Sequence, residues 1–128
     1  MRVIACVQAR LGSRRLPGKA LLPLANRTAL DWIVLRLKTC RDLDGVVLAT
    51  GRSKGNDPLA RAAARLGVPV VRGPEKDLVT RLLAAARLTG ADALVRVTGD
   101  CPLVDPGLVD KLVEIGRASC RERVCLAV

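Results

Sequence analysis

Four short, mostly apolar runs, each followed by a segment of helical period, constrain this chain more than any other feature. Arg2 to Val7 (RVIACV), Gly45 to Thr50 (GVVLAT), Val68 to Val71 and Ala93 to Thr98 are valine-rich and bounded by polar turns, as buried strands are. Between them, Thr28 to Lys38 places Leu30, Ile33, Val34 and Leu37 on one helical face, with Thr28 as N-cap and Asp31 three residues on. Asp57 reads as the cap of a second helix, with Pro58 at its first position, Leu59, Ala62, Ala63 and Leu66 inward and Gly67 as its stop. Asp77 to Leu88 is helical by period and ends at Gly90, and Asp105 with Pro106 opens a fourth helix. Alternation of this kind predicts one α/β domain with a mainly parallel sheet. Its functional loops then lie on one rim, at the strands' carboxyl ends: the segment after Val7, Thr50 to Asn56, Arg72 to Asp77 and Gly99 to Asp105.

The first of these loops, VQARLGSRRLPGK from Val7 to Lys19, crowds Arg10, Arg14, Arg15 and Lys19 around Gly12, Ser13 and Gly18. Backbone N–H groups and fixed cations in such a loop can share the charge of a phosphate chain. It is not a Walker loop, because five residues separate Gly12 from Gly18 and Ala20 follows Lys19. Nor is it a dinucleotide fingerprint, since Gly12 has no glycine two residues along.

The formal charge of +10 asks for an anionic partner, and six basic residues precede the first acid, Asp31. Trp32 is the lone aromatic residue, so bases have no stacking platform and nucleic acid is not the expected partner. Trp32 itself is assigned to the core. Five scattered cysteines without a C-x-x-C pair point to reduced thiols, and the lack of histidine excludes Cys–His catalysis and most zinc sites. No run of eighteen apolar residues occurs; no membrane span is expected, and the chain is expected to be cytoplasmic.

The segments QAR-x-GS-x-RLPGK, RGPEKD and R-x-TGDCPL-x-D, in that order, resemble the cytidylyltransferases that include the spore-coat polysaccharide proteins and, more distantly, the synthetases of CMP-activated acidic sugars. The resemblance covers about Met1 to Val113. It implies a Rossmann-like nucleotidyltransferase fold, a three-layer sandwich, here truncated. It also implies CTP and a sugar as substrates, Mg2+ as cofactor, pyrophosphate as product, a role in polysaccharide biosynthesis and a homodimeric full-length protein. Carried onto this sequence, Ala9, Arg10, Gly12, Ser13, Arg15 and Lys19 would wrap the triphosphate, and Asp100 would bind the magnesium. Arg10, Lys19 and Asp100 form the implied catalytic set. Arg72, Asp77, Arg81, Arg96 and Thr98 stand where the family carries a similar pattern, and some of them should face the cytosine edge. The sequence departs from the pattern at Arg14 and at Gly51 and Arg52. Enzymes using another base, and a non-catalytic nucleotide-binding module, are the alternatives.

Simpler roles exist beside these. Asp100 could be a turn aspartate ahead of Pro102, Asp105 reads as a helix cap, and Arg72 and Arg81 remain open between pocket and surface. Beyond Val113 the chain changes character. EIGRASCRERV has no continuing helical face and reads like the in-frame translation of a sequencing adaptor. The expectation is therefore a native segment 1–113 and a foreign tail 114–128.

Overall fold

The structure, a computed structural model, describes residues 1–12, 18–119 and 124–127. Its sheet contains β1 (Val3–Gln8), β4 (Gly45–Gly51), β5 (Val70–Gly73), β6 (Ala93–Thr98) and β7 (Val124–Ala127), in the order β5-β4-β1-β6-β7. All of its pairings are parallel. Among the described residues four α-helices connect or flank the strands: α1 (Ala29–Lys38), α2 (Asp57–Arg65), α3 (Leu78–Thr89) and α4 (Pro106–Ser119). A small antiparallel hairpin, β2 (Pro23–Leu24) with β3 (Arg27–Thr28), precedes α1.

Alternation along the strands sorts the core into two layers. Val3, Ala5 and Val7 of β1 pack with Leu30, Ile33, Val34 and Leu37 of α1, with Leu59 of α2 and with Val109 and Val113 of α4. Ile4 and Cys6 face the other way, with Val47, Ala49, Val71 and Leu94, toward Ala85 of α3. Three helices thus cover one face of the sheet and α3 covers the other, which is the three-layer arrangement expected. β1 is buried on both sides because it is central, and each such valine or isoleucine contributes about 1.5–3 kcal/mol of burial.

Local signals place the helices. Thr28 Oγ1 accepts the Asp31 N–H at 3.1 Å while Asp31 Oδ2 accepts the Thr28 N–H at 2.9 Å, a reciprocal capping box. Asp77 caps α3 by accepting the Thr80 N–H at 3.0 Å, and Gly90, at φ 66°, ends it. Asp105 Oδ1 accepts the Gly107 N–H at 2.8 Å, with Pro106 as the first residue of α4.

Four expectations need correction. Asp57 is the first residue of α2 rather than its cap, because Asn56 takes the cap position after a 3-10 turn at Lys54–Asn56 and the Asp57 carboxylate is engaged by Arg72. The third strand starts at Val70, not Val68, since the Val68 N–H is still bonded to Ala63 O at the end of α2 and Pro69 has no N–H to give. Trp32 is only half-buried; its Nε1 donates to Leu24 O at 2.6 Å and the Arg27 guanidinium lies 5.9 Å from its ring centre, so it fastens the hairpin to α1. Finally, α4 continues through Ser119: Gly116 is buried, and Arg117 donates to Met1 O and Asp42 O.

Candidate active site

Parallel pairing brings the carboxyl ends of β5, β4, β1 and β6 to one rim. From β1 the chain passes to β4 and β5 on one side, then returns to β6 on the other, so the direction of winding reverses between β1 and β6. Such a switch point opens a crevice beyond the strand ends. Here that point lies at Gln8 and Thr98, the register partners that end β1 and β6, beside the turn that carries Asp100.

The strand ends meet closely there. The Gly99 N–H donates to Gln8 O at 2.8 Å, and a Cβ on Gly99 would stand 2.7 Å from Ala9 Cβ and 3.2 Å from Gln8 O. Only glycine allows β6 to turn this tightly against β1. Across the crevice, Lys19 Nζ lies 3.6 Å from Asp100 Oδ2, with the two side chains 37% and 55% exposed. The neck of the basic loop is closed by the Gly18 N–H donating to Leu11 O at 3.0 Å, with Gly18 left-handed at φ 71°. Hydrogen bonding from Thr98 holds the Asp100 carboxyl below its ordinary range, and the Lys19 charge acts in the same direction. The Thr98 hydroxyl is also 3.2 Å from Cys101 Sγ.

The other residues singled out in the sequence fall into distinct groups. Ser13 and Arg15 lie outside the described residues. Gly12 is exposed, and no atom of the described residues lies within 4 Å of where its Cβ would stand. Ala9 is buried and its N–H is taken by Ala49 O at 3.2 Å, so it packs the strand end rather than offering a donor. Arg10 donates to Glu75 O at 2.9 Å and lies 3.6 Å from Glu75 Oε2. Arg96, on the α3 face, donates through Nε to Gln8 Oε1 at 3.0 Å.

Arg72 and Asp77 have internal tasks. Arg72 stands opposite in parity to Val71 and Gly73, and its guanidinium donates to Gly51 O at 3.0 Å, Asp57 Oδ1 at 2.6 Å and Ser53 O at 2.8 Å. It clasps the loop after β4. Both oxygens of Asp77 serve Thr80, whose hydrogen bonds lower its pKa. Arg81 is 2% exposed and lies over Gly73; its Nη1 donates to Glu75 O at 3.4 Å, and its Nε has no partner among the described residues. Burial, and then Arg10, lower its pKa.

Two participants carry no strong sequence signal. Asn56, 3% exposed, accepts the Leu11 N–H at 2.9 Å and donates through Nδ2 to Glu75 Oε1 at 2.9 Å. Glu75 Oε1 also accepts the Ser53 N–H at 3.0 Å. Together they tie the base of the basic loop to the loops after β4 and β5. The RGPEKD run marked the turn, but the part played by Glu75 depends on Gly51, whose missing side chain leaves room for the carboxylate.

This arrangement suits an extended polyanion. Lys19 and Arg10, each in an exposed ion pair of 3.6 Å, can exchange those carboxylates for phosphate oxygens. Among the described residues no group of three or more His, Cys, Asp or Glu side chains could hold a metal ion. A hard divalent cation at Asp100 would therefore draw its other ligands from bound phosphates and water, as magnesium sites commonly do. No described helix is long and apolar enough to cross a membrane.

Comparison with known proteins agrees with that geometry. The chain is 34% identical over 116 residues to the spore coat polysaccharide biosynthesis protein SpsF of Bacillus subtilis, covering 88% of this chain and 48% of that protein. It is 35% identical over 118 residues to the 3-deoxy-manno-octulosonate cytidylyltransferase of Bdellovibrio bacteriovorus, covering 90% and 46%. The solved structure of a cytidylyltransferase from Leptospira borgpetersenii superposes with a TM-score of 0.89 at 39% identity, over 94% of this chain and 51% of that one. The chain thus spans about half the length of the relatives it matches. The family model described as cytidylyltransferase matches residues 4–123, and the chain belongs to the cytidylyltransferase family.

Proposed function

We propose that the full-length protein transfers CMP from CTP to a sugar, an acidic one, with release of pyrophosphate. The observation that carries this reading is the Lys19–Asp100 pair, 3.6 Å apart across the switch-point crevice: a phosphate-binding cation beside a carboxylate free to hold a metal. The sugar and CTP specificities draw on the relatives, one of which is named for 3-deoxy-manno-octulosonate. Polysaccharide biosynthesis in the cytoplasm, by a homodimer, belongs to the same reading.

The acceptor oxygen forms its bond to the α-phosphorus as the bond to the bridging oxygen of pyrophosphate breaks. Negative charge then develops on that bridging oxygen. Lys19 and Arg10, with Ser13, Arg15 and the amides around Gly12, hold the triphosphate and stabilise that charge. The oxygens of Asp100 suit a hard cation, and magnesium would neutralise phosphate charge and polarise the α-phosphoryl group there. Hydrogen bonding from Thr98 lowers the Asp100 pKa, while Arg81 and Arg96 line the side of the rim that faces α3. We further infer that residues 114–128 are a tail foreign to the enzyme, one that folds onto the domain as the end of α4 and as β7. Resequencing the codons from Val113 to Glu122 tests that, and an uninterrupted genomic match would refute it.

The direct test is pyrophosphate release by the full-length protein with CTP, GTP, UTP or ATP, magnesium and a panel of acidic sugars. CTP-dependent release that Asp100→Asn abolishes is expected. A clear preference for GTP or UTP would overturn the cytidine assignment.

A further inference from the structure

Resting on the CTP reading above, we propose that Glu75 selects the base, its carboxylate accepting the exocyclic amino group of cytosine. The layout of the rim supplies the first argument. With the phosphates in the β1/β6 crevice and Asp100 on the β6 side, the nucleoside end of the ligand extends over the ends of β4 and β5.

The surface on that side is built to present one carboxylate. Gly51 and Gly73 are register partners at the ends of β4 and β5. A Cβ on Gly51 would overlap the Glu75 carboxylate, and one on Gly73 would meet Arg81 Cγ at 2.7 Å. Two strand ends without side chains thus form a floor on which Glu75 and Arg81 lie. Oε1 of Glu75 is fixed by the Ser53 N–H and by Asn56 Nδ2, and Asn56 is itself fixed by the Leu11 N–H. The other oxygen, Oε2, has among the described residues only the loose 3.6 Å contact with Arg10, and the side chain is 36% exposed. A triphosphate offers Arg10 a stronger partner, which leaves Oε2 as an oriented acceptor with no donor.

An ionised carboxylate accepts hydrogen bonds and donates none. Cytosine presents an amino donor at C4, and carboxylates pair with that group. Uracil presents a carbonyl in the same place, which the carboxylate repels. A site built around a required hydrogen bond rejects the analogue that lacks it far better than an apolar pocket rejects a change of size.

The test is equilibrium binding of CTP and of UTP to the chain, at one magnesium concentration and ionic strength, for wild type, Glu75→Gln and Gly51→Ala. Glutamine can keep both contacts of Oε1 while its amide N–H2 donates to uracil. The CTP-over-UTP preference should fall at least about tenfold in Glu75→Gln. Gly51→Ala displaces the carboxylate without removing its charge and should lower the preference as well; it decides the matter if Glu75→Gln does not fold. A wild type that prefers CTP, with a folded variant of either kind keeping that preference within about twofold, overturns the role of Glu75 and leaves the CTP reading standing. A wild type with no preference for CTP overturns both.

Discussion

The two flanks of the rim use similar charged residues in opposite ways. On the β4/β5 side, Arg72 spends its donors on Asp57 at 2.6 Å and on the carbonyls of Gly51 and Ser53, and the loop after β4 is pinned by them. On the β1/β6 side, Lys19 and Asp100 stand 3.6 Å apart with each side chain more than one-third exposed. An exposed pair of that kind contributes about 0–1 kcal/mol, whereas short charge-assisted bonds are stronger. The difference separates support from chemistry: a cation with its donors consumed holds the site's shape, and one with a loose partner is available to a ligand.

The contrast breaks first at Arg72. Arg72→Ala should cost about 1.5–3 kcal/mol in denaturant unfolding, and Arg72→Lys should restore little of it, because an ammonium cannot reach the same set of acceptors. Lys19→Ala should leave the unfolding midpoint unchanged, and an equal loss in both variants would erase the distinction. Gly99→Ala comes next. Its Cβ meets backbone and Ala9 rather than a flexible side-chain tip, so a cost of about 1–3 kcal/mol is expected, together with weaker nucleotide binding as Asp100 moves off the crevice. Thr28→Ala, which touches neither charged pair, should cost about 1 kcal/mol through loss of the capping box and leave the affinity for nucleotide intact.

The smallest effect concerns Cys40, beneath α4. Burial, and then Asp110, Asp42 and Asp105, push its thiol pKa up to about 11. The folded value lies above that of the unfolded chain, so the stabilising neutral form is fully present below the ordinary cysteine range. Stability from this site is lost as pH rises from there through about 11. Alkylation of Cys40 followed by mass spectrometry should accordingly be slow at neutral pH and speed up only in strong alkali. Asp110→Asn should move that rise to lower pH.

Much of this architecture could be read from local signals. Thr28 with Asp31, Asp77, Gly67 and Gly90 mark helix ends because capping depends on residues a few positions apart. The hairpin before α1 is not legible in the sequence, because Ala25 and Asn26, at φ 49° and 66°, carry no glycine to announce the turn. Arg72 and Arg81 could not be told apart by proximity to the rim; the alternation of β5 turns Arg72 away from the α3 face, and only the fold shows what waits on each side. Glu75 and Asn56 were silent because their partners, Gly51 and Leu11, lie on other strands' loops.

Everything proposed for this rim depends on Asp100 holding a metal beside a bound triphosphate. CTP affinity measured calorimetrically across a magnesium titration tests this most directly, comparing wild type with Asp100→Asn. Wild-type affinity should rise with magnesium, and the substitution should flatten this dependence while the unfolding midpoint stays put. The same magnesium dependence in both proteins would contradict that role for Asp100.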